Sequence, residues 1–134
     1  MSAKVLIVPC SGIGKAYGLM AREAAYEAVR LAGPERARTL CLALLVPGDA
    51  EAVALVRESP CLTVDGCAKL CARKNVELAG GRVAAGVRVL DAFRSHRGAD
   101  PGTPTHLNEI GWAISDEIAA GLAAEARRLG GEEA

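Results

Sequence analysis

The sequence predicts an α/β fold of three layers, with a four-stranded, mostly parallel sheet between helices and a long helix at the C-terminus. Three observations predict it. Short apolar runs of strand length alternate with longer segments of helical composition. The runs carry few polar residues, as strands buried on both faces of a parallel sheet do. Glycine, proline or aspartate stands at nearly every junction. Alternation with short connections implies right-handed crossovers, and so a doubly wound, Rossmann/flavodoxin-like sheet.

Lys4 to Pro9 is the first strand, ended by the flexible run Cys10-Ser11-Gly12-Ile13-Gly14. Residues 15–32 form an Ala-rich helix with Glu23, Glu27 and Arg30 outward, stopped by Gly33-Pro34. Arg38 to Val46 is apolar and reads as the second strand. Pro47-Gly48-Asp49 then turns into a short helix over 49–58. Cys61 to Val64 is the third strand, ending in Asp65-Gly66, and Cys67 to Leu78 is a helix closed by Gly80-Gly81. Val83 to Leu90 is the fourth strand. Residues 95–105 hold Gly98, Pro101, Gly102 and Pro104 and form a surface loop. Leu107, Ile110, Ile114, Ile118 and Leu122 then recur at helical spacing, which predicts one amphipathic helix over about 105–129. Its apolar stripe packs on the protein's own sheet and not on a partner. No repeat or low-complexity tract appears, and residues 1–134 read as a single domain.

Composition removes several classes of function. The chain has 134 residues, with sixteen Lys and Arg against sixteen Asp and Glu, a formal net charge of zero. Without a basic run it lacks the footprint of a nucleic-acid binder. Aromatic residues make up only 3% of it (Tyr17, Tyr26, Phe93 and Trp112), too few for stacking on bases. Hydrophobic residues make up 51%, which argues against disorder. No apolar run approaches the roughly 18 residues of a membrane-spanning helix, and Val5–Val8 is too short for a signal-peptide core. The protein therefore reads as cytoplasmic, with no membrane partner and with its thiols reduced.

Three familiar motifs fail on inspection. Gly12-Ile13-Gly14-Lys15 lies between a strand and a helix, where phosphate loops lie. A Walker loop needs glycine at Pro9 and Ser or Thr at Ala16. A dinucleotide fingerprint needs its third glycine at Tyr17, and a Cys-x5-Arg phosphatase loop needs Arg at Ala16. No hydrolytic triad is visible. His96 lies on an exposed loop and His106 in the first turn of the last helix. Asp65 and Asp91 fall at strand ends, where α/β folds place functional groups, though Asp65 also suits an ordinary turn and helix cap.

Five cysteines are the most informative feature. In a reducing compartment such a count points to metal or redox chemistry before disulfides. Cys67 and Cys71, four apart at a helix start, place their Cβ atoms about 5–6 Å apart on one face, a workable bite for one metal ion. The helix terminus would stabilise thiolates there. Cys10 lies just past the first strand, and in a doubly wound sheet its loop meets that of Cys67 outside the strands' carboxyl ends. The fourth ligand is Cys41 or Cys61. Cys61 begins the third strand, and six residues at about 3.3 Å each put it up to about 20 Å from Cys67, on the opposite edge. Cys41 reaches the site if the second strand's ordered part ends near Leu42. Geometry favours Cys41.

Val64-Asp65-Gly66-Cys67-Ala68-Lys69-Leu70-Cys71, with Pro9-Cys10-Ser11-Gly12-Ile13-Gly14 upstream, resembles the DGC-domain family, named for its Asp-Gly-Cys. The resemblance spans roughly residues 4–92 and leaves the last 40 or so outside the pattern. Ala68 stands where the family usually has proline. The resemblance implies zinc binding through four chelating cysteines, here Cys10, Cys41, Cys67 and Cys71, and no established reaction. The first function this predicts is metal binding with a structural, storage or delivery role. The same soft ligands would accept Cu(I) or an iron–sulfur cluster. The second is a thiol enzyme of redox or sulfur transfer, with Cys10 or Cys67 as nucleophile and Cys71 as resolving thiol. An interaction domain with inert cysteines is the third. Neither the oligomeric state nor a substrate is legible.

Overall fold

The computed structural model describes residues 4–10, 14–66 and 69–129. β1 (Val5–Pro9) is buried along its whole length and lies inside a four-stranded sheet. The order is β2-β1-β3-β4, with β2 (Ala37–Thr39), β3 (Pro60–Asp65) and β4 (Arg82–Arg88) all paired in parallel. In register, Val5 lies opposite Ala37 and Pro9 opposite Val64, so the ends of β1 and β3 finish side by side. The sequence expectation of one parallel sheet with the first strand inside it holds.

Right-handed crossovers decide which helix covers which face. The chain leaves β1 through α1 (Ala16–Ala32) to the edge strand β2, then returns across the sheet to β3 and β4. α1 therefore lies on one face, and α3 (Ala50–Glu58) and α4 (Cys71–Leu78) lie on the other. α6 (Glu109–Leu129) packs along α1. Ala21, Ala24, Ala25 and Ala28 of α1 are fully buried, and Ile114, Ile118, Leu122 and Ala126 of α6 are buried as well. Small residues let the two helices approach closely, which is how a chain poor in aromatics still fills its interior. Tyr17 and Phe93 meet edge-on, ring centroids 5.3 Å apart, at one end of this layer.

Four elements differ from the sequence expectation. β2 stops at Thr39, and Leu42–Leu45 forms a short helix, α2. Leu40, Leu42 and Leu45 are buried while Leu44 and Val46 are half exposed or more, a helical pattern that a strand could not produce. The helix predicted from Cys67 begins at Cys71. Leu70 has left-handed backbone (φ 55°, ψ 45°), through which no α-helix can run unbroken. β4 ends at Arg88 and passes into a short helix, α5 (Val89–Ala92). The last helix starts at Glu109, and the residues before it form a small antiparallel hairpin, β5 (Gly102–Thr103) and β6 (His106–Leu107). His106 thus lies on a hairpin, and Ile110 is 48% exposed and outside the buried stripe. Among the described residues, no helix is long and apolar enough to cross a membrane.

Candidate functional site

The carboxyl ends of the strands gather the chain's unusual residues. Cys10 follows β1 directly and is buried, 7% exposed. Its backbone N–H donates to the Val64 carbonyl (2.9 Å), which extends the β1–β3 pairing by one residue. Its sulfur accepts from the Gly66 N–H at 3.2 Å. The first strand's cysteine is thereby tied to the residue that precedes Cys67.

Asp65 and Gly66 each have a structural reason to be what they are. The Asp65 carboxylate, 2% exposed, accepts from the backbone N–H of Ala72 (2.7 Å) and of Arg73 (3.2 Å). It caps α4 from seven residues away, a job the left-handed Leu70 at the helix's own N-cap does not do. Burial raises the Asp65 pKa, partly offset by those two amide hydrogen bonds and by the charges of Arg73 and Lys74. Gly66 lies against the first turn of α1. A Cβ there would stand 3.0 Å from the Tyr17 carbonyl carbon and 3.1 Å from the Gly18 nitrogen. The sequence reading assigned the α4 terminus to thiolates, but Asp65 already takes two of its amides.

Cys41 is exposed at the start of α2, and Cys71 is exposed as the first residue of α4. α2 lies against α4, so both cysteines open elements that meet at one edge of the sheet. The condition set for Cys41, a second strand ending near Leu42, is met with residues to spare, since β2 ends at Thr39. Cys41 and Cys10 share the wall of one cleft with Pro9, Arg22, Tyr26 and Leu42. The sequence reading missed Arg22 and Tyr26. They lie on α1, where periodicity marked only the inner and outer faces and gave no sign of the rim.

Cys61 lies apart, fully buried at the amino end of β3 and paired with Leu6. Its thiol donates to the carbonyls of Ser59 (3.5 Å) and Val56 (3.7 Å), and burial pushes its pKa up to about 11. Cys67 lies outside the described residues, as do Ser11, Gly12 and Ile13. α4 begins only at Cys71, after the left-handed Leu70. Among the described residues, no three Cys, His, Asp or Glu side chains stand close enough together to hold a metal ion.

The remaining candidates have ordinary roles. His96 pairs with Glu117 of α6 through Nε2, at 3.0 and 3.1 Å, and ties the segment after α5 to the last helix. Asp91 accepts from Arg88 (2.8 and 3.2 Å), and Arg94 lies 3.5 Å from it. These cations hold the Asp91 carboxyl below the usual range, the Arg88 hydrogen bond most of all.

A doubly wound parallel sheet that places cysteines after three of its strands, with Asp-Gly-Cys at the end of β3, defines the class to which this protein belongs. The DGC domain family matches residues 6–110, and the chain belongs to that family. The match runs beyond the stretch where the sequence alone resembles the family and takes in the β5–β6 hairpin and the first residues of α6. No curated protein matches the chain, and no solved structure does.

Proposed function

We propose that the protein binds a metal ion, zinc, through Cys10, Cys41, Cys67 and Cys71 at the carboxyl edge of the sheet. One observation carries this reading: Cys10 and Cys41 wall the same cleft, while the Cys10 sulfur receives the N–H of Gly66, the neighbour of Cys67. The donor set suits the ion, since thiolates are soft ligands that zinc takes at about 2.3 Å. Four thiolates would close the coordination sphere and leave no position for substrate, which makes the role structural, storage or delivery and not hydrolysis. The chain's own part would be to anchor the segments that carry the ligands. Asp65 anchors the start of α4 beside Cys71, and Gly66 lets α1 close against the end of β3. An iron–sulfur cluster on the same thiols is distinguished by colour: anaerobically purified protein is colourless with zinc and brown with a cluster.

The test is elemental analysis of protein purified under reducing, chelator-free conditions. One zinc per chain is the expected result, and a metal-free protein in which Cys10, Cys41, Cys67 and Cys71 are all titratable sinks the reading. A second reading, a thiol enzyme of redox or sulfur transfer, is favoured by Arg22 in the Cys10–Cys41 cleft. A guanidinium there would hold an anionic sulfur substrate beside the nucleophile. Metal-free protein with one cysteine alkylated much faster than the rest would select it.

A further inference from the structure

A second cleft opens on the β3–β4 side of the sheet's carboxyl edge and shares no lining residue with the Cys10–Cys41 cleft. Its walls include Thr63 and Asp65 of β3, Gly86 and Arg88 of β4, Arg73 of α4 and Asp91 of α5. Thr63 is 1% exposed, and its hydroxyl has no hydrogen-bond partner among the described residues. A buried polar group left so is an uncommon and costly state without a ligand or water to relieve it. Gly86 lies directly opposite Thr63 in the ladder. A Cβ at Gly86 would stand 3.1 Å from Thr63 Oγ1 and 3.2 Å from Arg73 Nη1. The missing side chain therefore leaves a notch onto which a buried hydroxyl and a guanidinium converge. A lone glycine inside a strand often marks such a close approach.

The polar groups around the notch differ in how fully they are engaged. The Asp65 carboxylate is taken up by the amides of Ala72 and Arg73. The Asp91 carboxylate is taken up by Arg88, with Arg94 beside it. Arg73 has only a loose pair with Glu77 at 3.5 Å, both side chains about half exposed, and such pairs contribute little. The Thr63 hydroxyl and the Arg73 guanidinium are thus the least engaged polar groups in the cleft walls. We propose that this cleft binds a small oxyanion, with the Arg73 guanidinium as its principal donor and the Thr63 hydroxyl at its floor. Arg88, braced by Asp91, flanks the ligand. Asp65 and Asp91 in the same walls balance the two arginines, which disfavours a polyphosphate and favours an anion of low charge. A carboxylate and a tetrahedral oxyanion both satisfy this chemistry.

The proposal is independent of the metal reading, and its test is too. The full chain is titrated with acetate, inorganic phosphate and sulfate at matched ionic strength, following amide NMR shifts. Saturable binding of at least one probe is expected, with acetate against phosphate and sulfate deciding between the planar and tetrahedral classes. Arg73→Gln should weaken it about tenfold or more, the loss expected for a hydrogen bond to a charged group. Gly86→Ala, which fills the notch, should abolish it, whereas Arg128→Gln, a charge change on α6 outside the cleft walls, should leave it intact. If Gly86→Ala fails to fold, Arg73→Gln at its half-exposed position still decides. Absence of saturation with all three probes, or equal affinity in Arg73→Gln, overturns the proposal.

Discussion

The backbone N–H of Gly66 points at the sulfur of Cys10, 3.2 Å away. This bond joins two positions 56 residues apart and ties the loop after β1 to the loop after β3. Sulfur is a weak acceptor as a thiol, and an amide aimed at it gains strength if the sulfur carries charge.

Gly66→Ala should destabilise the protein by about 1–3 kcal/mol, the usual cost of forcing an extra carbon into a packed site. The new Cβ would press on the backbone of Tyr17 and Gly18, which cannot rotate away as a side chain would. Urea denaturation read by far-UV dichroism checks this. A midpoint equal to wild type would show that α1 moves aside freely.

Single replacements by Ser at Cys10, Cys41, Cys67 or Cys71 should each cut bound metal sharply, while Cys61→Ser leaves it unchanged. Cys61 stands at the opposite edge of the sheet and is fully buried. Metal content of the five variants is the measurement. Loss of metal in the Cys61 variant equal to that at Cys67 would mean that the site is built elsewhere.

Alkaline stability isolates Cys61. Its folded-state pKa of about 11 lies above the 9.0 of an unburied thiol because burial penalises the thiolate. Between those values the unfolded chain has lost the proton and the native state has kept it. Stability therefore falls as pH rises from 9 to 11, by about 2–3 kcal/mol in total. Below pH 9 both states hold the proton and Cys61 adds no pH dependence. Urea midpoints across this range should show the decline in wild type, and Cys61→Ala should remove that component.

Chelator or mild acid should release the metal and expose about three or four additional titratable thiols, because protons compete for each thiolate. Far-UV dichroism should barely change. The protein buries an apolar core of its own from β1 through α6, so the fold should survive loss of the ion. Complete unfolding on metal removal would assign the ion a structural role and exclude delivery.

Much of the fold was legible because β1, α1, α3 and β3 carry clean signals. β1 is apolar throughout, Gly33 ends α1, and Asp49 accepts the Ala52 N–H as a helix cap. The stretch after Thr39 misled because a short apolar run has no periodicity to separate strand from helix. Only burial of Leu42 and Leu45, three apart, settles it as helix. Leu70 was invisible: nothing about a leucine announces left-handed backbone, and it moved the start of α4 to Cys71. The ends of the strands at which Cys10, Cys41, Cys61 and Cys71 stand were legible from strand order. The second cleft was not, apart from the single glycine in β4, since it depends on which side chains find partners.

The reach of Asp65 has a further consequence. The chain leaves β3 and returns within seven residues to a hydrogen bond of 2.7 Å at Ala72, so the ends of the segment that carries Cys67 and Cys71 are pinned by folding itself. The entropy of closing that loop is met before any ligand arrives. For a ligand shared by these two thiols, the second contact is intramolecular, and the anchor at Asp65 governs its effective concentration. If Cys67 and Cys71 share a ligand, an acid that does not bind it would thereby set how tightly the two act together.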